Sequence, residues 1–487
     1  MKDIRRNLLP PSATLREVMT LLNQGVYGAV LIVDEGGVMR GLFTDGDIRR
    51  ALLGGATLDA FAEQHMQRKY TTGSTARSHS ENLALLSKSI RHVPILDELG
   101  RPVEMISWAE IWRLPVMEPS LGGNELKYAS DCITSGWISS QGEYVGRFEK
   151  AFCEFGDAQH SLCVSSGTTA LHLALVALGI GPGDEVIVPN LTFAATANVV
   201  MHCGARPVFA DVSRATWTVT AADIEPRITP RTKAIIPVHL YGHPCDMDPI
   251  LELAKRHGLK VIEDAAEALG AEYKGRKVGT LGDVGCFSFF ANKVITTGEG
   301  GMTTTNDRAL HEHMQVLRDH GMQKSRRYWH LFPGFNYRMT NLQAAIGLAQ
   351  MERIDAFLDN RQQVARRYNE RLGALDGIIL PPEAEWARNI YWLYSILIDE
   401  QRAGVTRDQI AARLGTHGID SRPFFYPVNI MPPYEWANAE SYPVTEWISA
   451  RGLSLPTSKS MSVEDVDRVC TEIEAIVGHH QVMQAHT

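Results

Sequence analysis

The stretch "FSFFANKVITTGEGG", Phe287 to Gly301, sets a single lysine between an aromatic run and a glycine-rich turn. A lysine in apolar surroundings is costly unless its charge is paired or its amine gives up the proton. Most lysines are solvated surface groups, so Lys293 needs a reason from the rest of the chain. Upstream, apolar β-rich runs alternate with helical stretches: "DEVIVPN", "RPVFADV", "TKAIIPVHL", "LKVIEDAAEALG" and "VGCFSFF". That alternation predicts an α/β architecture, a parallel sheet covered by helices on both faces, whose strand pattern ends near Phe290. Ligands of such sheets collect outside the carboxyl ends of the strands, and Lys293 follows one of those ends.

Two other strand ends carry chemistry. "SSGTTALHLAL", from Ser165, is a small polar turn feeding an apolar helix. Free backbone N–H groups at such a start suit a phosphate, although alone the motif is equally an ordinary helix cap. "VIEDAAEALG" puts Glu263 and Asp264 at the end of an apolar strand, where Asp264 either faces a ligand or caps the next helix. Together, a phosphate cradle, a strand-end acid and a lysine after an aromatic strand are the parts of a pyridoxal 5'-phosphate (PLP) site. The lysine amine forms a Schiff base with the cofactor aldehyde. A carboxylate keeps the pyridine nitrogen protonated so that the ring accepts electrons. An apolar wall favours the neutral, nucleophilic amine.

The resemblance to a known family is broad. "GWISSQGEYVGRFEKAF", "SSGTTALHLALVALGIGPGDEVIVPNLTFAATANVV", "VIEDAAEALGAEYKGRKVGTLGD", "FSFFANKVITTGEGGM" and "GFNYRMTNLQAAIGLAQ" make residues 120–480 resemble the DegT/DnrJ/EryC1 sugar aminotransferases. The resemblance implies the fold-type-I PLP transferase architecture with a small C-terminal α+β domain. It implies Lys293 as Schiff-base lysine and proton shuttle, and Asp264 as partner of the pyridinium nitrogen. Glu267 falls near the ring's phenolic oxygen. Gly167, Thr168 and Ser288 hold the phosphate, and Phe193 stacks on the ring. Asn336 resembles a residue that reaches the phosphate from a neighbouring subunit, which implies a homodimer or higher assembly with shared sites. Family members with histidine at the lysine position are dehydratases; Lys293 favours transamination. The substrate implied is a nucleotide-linked 4-keto-6-deoxy sugar, aminated at C4 with L-glutamate as donor. GDP-4-keto-6-deoxy-D-mannose fits the motifs best, and a UDP-linked 4-keto-6-deoxy-N-acetylhexosamine stays open. Trp137, Ser139, Arg326, Arg327, Tyr328 and Trp329 are candidates for the sugar nucleotide, the arginines for its diphosphate and the aromatics for its base. A solvated basic loop is the plainer reading of residues 326–329.

The first stretch repeats itself. "VLIVDEGGVMRGLFTDGDI" from Val30 aligns without gaps with "VPILDELGRPVEMISWAEI" from Val93, at an offset of 63 (97 − 34). Each copy reads as strand, acidic-glycine turn, strand, then a helix capped by Thr44 or Ser107, and two such units should pack together. The pair resembles tandem CBS modules. In that family a T-x-x-D element grips the ribose of an adenine nucleotide, which nominates Thr44 and Asp47, with Ser107 and Glu110 as a weaker second set. An empty packing module is the plainer alternative. Similar modules are attached to nucleotidyltransferases of nonulosonate sugar pathways, which keeps the UDP-sugar in play. A third reading makes the chain a nucleotide-sensing regulator with the PLP domain as scaffold.

The expected domains are 1–115 (the CBS pair), 116–374 (large cofactor domain) and 375–487 (small α+β domain), joined first by the proline- and glycine-marked "WRLPVMEPSLGGNE". A chain of 487 residues needs two or three cores. Its formal charge of −8 gives no reason to expect nucleic-acid binding. Seven scattered cysteines with no C-x-x-C pair fit neither a zinc site nor a disulfide framework, so no metal is expected. The start lacks a signal-peptide core and no apolar run is long enough for a bilayer. A cytoplasmic protein without membrane contact is expected.

Overall fold

A computed structural model describes residues 4–24, 28–77, 79–83, 85–87, 90–107 and 114–484. The chain forms two compact units: Met1–Leu114 with Gly415–Ile419, and Pro115–Leu414 with Asp420–Thr487.

The larger unit is built on a seven-stranded sheet. Its strands are β1 (His160–Val164), β2 (Glu185–Pro189), β3 (Arg206–Ala210), β4 (Thr232–Ile235), β5 (Lys260–Asp264), β6 (Val284–Ser288) and β7 (Gly301–Thr305), in the order β1-β7-β6-β5-β4-β2-β3. The neighbours from β3 across to β6 pair in parallel. Successive side chains point to opposite faces, and here both faces are apolar. Val186, Val188, Ala234, Ile262 and Val284 enter one core together with helices α1 (Gly167–Ala177) and α2 (Ala195–His202). Ile187, Ile235, Val261 and Phe287 enter the core on the other side. Burial on both faces is why these strands read as unbroken apolar runs.

One sequence expectation needs correction. The sheet does not end near Phe290: β7 lies between β1 and β6 and is antiparallel to both. Its sequence, "GMTTT", has three hydroxyls where an apolar strand was sought, yet every residue of it is buried. Threonine is β-branched and suits a strand, and Thr305 meets its polar requirement by donating to the Asp283 carbonyl at 2.7 Å. The helical region after Asn341 is two helices, α3 (Asn341–Met351) and α4 (Ile354–Leu372). The break falls at Arg353, whose guanidinium reaches back to Ser120 Oγ at 3.3 Å and to Glu125 at 3.7 Å. That tether fixes the chain's entry segment where the two helices part.

Beyond α4 the chain forms a four-stranded antiparallel sheet in the order Ile378–Ile379, Tyr394–Ile398, Gly452–Leu455, Arg422–Pro423. Helix Val463–Gln484 follows. Among the described residues no helix is long and apolar enough to cross a membrane.

The smaller unit shows the repeat in three dimensions. Antiparallel strands Ala29–Val33 and Met39–Thr44 recur as His92–Leu96 and Pro102–Ser107. The turns recur as well. Asp34 accepts from the Val38 N–H at 3.0 Å and Asp97 from the Arg101 N–H at 2.8 Å. Gly37 and Gly100 hold φ of 78° and 75°, a left-handed conformation that only glycine adopts freely. The first copy ends in helix Asp45–Leu53, capped by Thr44. The matching helix of the second copy, with Glu110, lies outside the described residues.

Candidate active site

The carboxyl ends of β5 and β6 open into a cavity of about 440 Å³ whose wall includes Gly167, Thr168, Phe193, Asp264, Glu267, Ser288 and Lys293. The sequence reading named these residues from four separate motifs, and the fold brings them to one place. Asn336 lies elsewhere in its own chain, where its Oδ1 accepts from Arg338 Nε at 3.2 Å.

The phosphate-sized corner comes from two elements meeting closely. Ser166 caps α1 by accepting the Thr169 N–H at 3.1 Å. The first N–H groups of a helix have no intrahelical partner, and they carry the positive end of its dipole. A Cβ on Gly167 would stand 2.8 Å from the Cβ of Ser288. Glycine is therefore required for the helix start to approach the end of β6, and that approach makes the cradle.

The charged groups are buried and face one another. Lys293 Nζ lies 3.6 Å from a Glu267 carboxylate oxygen, with the lysine side chain 13% and the glutamate 5% exposed. Burial pushes the Lys293 ammonium below its ordinary value, and Glu267 and Asp264 pull it partly back. Burial pushes Glu267 up to about 6, against the nearby Lys293 charge. Its other oxygen accepts the Tyr241 N–H at 2.9 Å. Tyr241 holds a left-handed φ of 53° to point that N–H inward. Burial also raises Asp264, opposed by the Thr196 hydroxyl at 2.8 Å and the Ala266 N–H at 3.2 Å.

Glu263, one residue earlier, faces away from the cavity. It accepts the N–H groups of Gly279, Leu281 and Gly282 at 2.8, 2.7 and 2.8 Å, and pairs with His239 Nε2 at 3.0 Å. Burial works against its charge, but His239 and those N–H groups outweigh it and its net direction is down. Glu263 thus holds a loop, and the carboxylate that lines the cavity is Asp264.

The apolar walls are aromatic. Phe193, 61% exposed for so large an apolar group, stands 5.8 Å from the Phe425 ring. Trp392 places its indole face 3.7 Å from Lys293 Nζ and donates its N–H to the Asn292 carbonyl at 2.8 Å. Trp392, Tyr241, Thr196, Arg422 and Phe425 also line the cavity and were not foreseen. Arg422, Phe425 and Trp392 come from the C-terminal part of the chain, where no motif marked them.

The proposed sugar-nucleotide residues do not join this cavity. Trp137 lines a separate one of about 530 Å³ with Asn341, which binds the Trp137 and Ser139 backbones. Arg326 stacks on Trp329 at 3.9 Å and Arg327 on Tyr328 at 5.0 Å, on an exposed loop. In the smaller unit, Thr44, Asp47, Arg50, Arg68, Lys69 and Arg91 line a cleft of about 890 Å³. Asp47 is already engaged there. It accepts from the Thr44 N–H at 2.8 Å, the Thr44 hydroxyl at 2.7 Å and Arg50. Ser107 is buried at the end of its strand.

A mostly parallel sheet with a helix-start cradle, a strand-end acid and a buried lysine defines a class, and the sequence comparison agrees with it. The chain belongs to the DegT/DnrJ/EryC1/StrS aminotransferase family, which matches residues 119–474, and a CBS domain matches residues 3–54. It is 50% identical over 370 residues to the GDP-perosamine synthase of Caulobacter vibrioides, covering 76% of this chain and 100% of that one. It is 47% identical over 360 residues to the GDP-perosamine synthase of Escherichia coli O157:H7, covering 74% and 97%. Among solved structures, the aminotransferase TlmJ of Streptoalloteichus hindustanus matches with a TM-score of 0.71 at 34% identity over 75% and 99% of the two chains. DesV of S. venezuelae, solved with a ketimine intermediate, matches with a TM-score of 0.69 at 35% identity over 73% and 94%.

Proposed function

We propose that this aminotransferase uses PLP to move the amino group of L-glutamate to C4 of GDP-4-keto-6-deoxy-D-mannose, giving GDP-perosamine. The observation that carries the substrate is the similarity, over nearly their whole length, to two GDP-perosamine synthases. The cavity fits the cofactor on its own terms. Its cradle exists only because Gly167 lacks a Cβ, its buried lysine lies 3.6 Å from the Glu267 carboxylate, and its second acid, Asp264, stands buried at the end of the neighbouring strand.

When bound, PLP supplies an electron sink for the substrate carbon. The chain's own residues then have these roles. The N–H groups of Gly167 and Thr168 and the Ser288 hydroxyl hold the phosphate. Asp264 keeps a proton on the ring nitrogen; a cation there reverses the burial penalty that raises it in its absence. Phe193 covers the ring face. Lys293 holds the cofactor, then moves a proton to and from the substrate carbon. Glu267 keeps the amine aimed. Asn336 of a second copy completes the phosphate site in a dimer. The cleft with Thr44 and Asp47 takes an adenine nucleotide, a reading supported by the CBS match and its four basic side chains.

The test is an absorbance experiment on the PLP-loaded protein. Glutamate should bleach the bound cofactor's visible band. After glutamate is removed, GDP-4-keto-6-deoxymannose should restore it and the UDP-linked ketosugar should not. Restoration by the UDP sugar alone overturns the substrate; no bleaching with glutamate overturns the donor. Equal numbers of Lys293→Ala and Asn336→Ala subunits, mixed and reassembled, should recover activity that neither variant has alone. No recovery means that sites are not shared.

A further inference from the structure

Arg361, on α4, is completely buried, and among the described residues no carboxylate pairs with it. Burial pushes its guanidinium down to about 9, and desolvating an unpaired cation costs several kcal/mol. What it holds in return is backbone. Nη1 donates to the carbonyls of Trp392 at 2.8 Å, and of Tyr391 and Thr457 at 3.3 Å each.

The segment held is strained. Tyr391 has a φ of 47°, a left-handed conformation that a tyrosine adopts only when its surroundings impose it. The next residue is Trp392. Its ring stands 3.7 Å from Lys293 Nζ, and its N–H grips the carbonyl of Asn292, the neighbour of that lysine. A continuous path therefore runs from a buried cation outside the cavity, through one peptide carbonyl, to the indole face beside the amine.

We propose that Arg361 is a positioning residue for the reacting amine: it locks the Trp392 ring against Lys293. The proposal rests on Lys293 being the reacting amine, but its test reads the amine and not turnover. An aromatic face favours a cation, so losing that face makes the ammonium easier to deprotonate. The other groups facing Lys293 are Glu267 and Asp264, with Glu299, Tyr241 and Arg422 also on the cavity wall.

The experiment is competitive acetylation of the cofactor-free full chain across pH, read at the Lys293 peptide by mass spectrometry. Trp392→Leu keeps the wall apolar without a π face. Arg361→Lys keeps the buried charge but replaces the fixed planar nitrogen that meets all three carbonyls with a rotating ammonium. Both should lower the Lys293 midpoint by about half a unit to one unit, while Arg371→Lys, on the same helix but paired with Asp467 and Glu474, should not. An unchanged midpoint in Arg361→Lys, or loss of its fold, makes Arg361 a purely structural residue and overturns the proposal. An unchanged midpoint in Trp392→Leu removes the indole face as the link. Turnover in Lys293→Ala would instead remove the functional reading and leave the midpoints standing.

Discussion

The two cavities of this chain are made alike and differ in what their charges are free to do. In each, a strand ends at a helix that opens on a capping box, Thr44 with Asp47 in one and Ser166 with Thr169 in the other. At the smaller unit's cleft the acid is consumed by the cap itself, since Asp47 already accepts from Thr44 and Arg50. At the larger unit's cavity the cap is closed by Thr169, an uncharged residue, and the acids stand elsewhere. Asp264 and Glu267 line one cavity with a buried lysine. Charges opposed in a low-dielectric pocket are reactive; charges satisfied at a solvated cleft are recognition surface or fold. One local motif therefore serves two ends, according to where the sheet puts the carboxylates.

The largest expected effect tests the reactive side of this contrast. Lys293→Ala should abolish turnover, a loss of at least about 10⁴-fold in single-turnover transfer from glutamate, and remove the bound cofactor's visible band. Full activity would dissolve the distinction between the two cavities. Asp264→Asn comes next. It keeps shape and hydrogen bonds but not charge, so cofactor should still bind while kcat falls by about 10²- to 10³-fold. An unchanged kcat would leave Asp264 as idle as Asp47.

A smaller effect concerns pH. Glu267 titrates near 6. Above that value it is ionised and attracts the Lys293 amine; below it the carboxyl is neutral and the attraction is lost. The kcat/KM profile should therefore fall as pH drops through about 6, and Glu267→Gln should flatten that limb. A limb that survives in the variant belongs to another group. The smallest effect lies in the other cleft. Thr44→Val removes the hydroxyl that donates to Asp47 and should cost its helix about 1 kcal/mol, read by native-state hydrogen exchange at Asp45–Leu53. No loss would mean that the Thr44 hydroxyl does not hold the helix start.

Most of the catalytic cavity was legible because its parts lie at strand ends and helix starts, which apolar periodicity and turn chemistry mark in the chain. Gly167, Asp264 and Lys293 each follow such a mark. β7 was missed because its threonines break the apolar pattern, while Thr304 and Thr305 find carbonyl partners within the fold. Trp392 and Arg422 were missed because they lie far along the chain from the motifs whose cavity they complete. Arg361 was missed because its charge reads as surface, although helical spacing sets it on the apolar face with Phe357, Leu358, Val364 and Ala365, away from Arg366 and Arg367.

By itself the sequence determined the family, the α/β layering, the repeat of the first hundred residues and the lysine that the fold buries at the cavity. These rest on local periodicity and on residue types whose spacing chemistry constrains. Alternation along β5 also required Glu263 and Asp264 to point to opposite faces. Only the tertiary structure decided which face held the cavity. It decided too that a buried arginine stood behind the tryptophan at Lys293. Such facts depend on which distant segments pack together, and no window of sequence contains both sides of that contact.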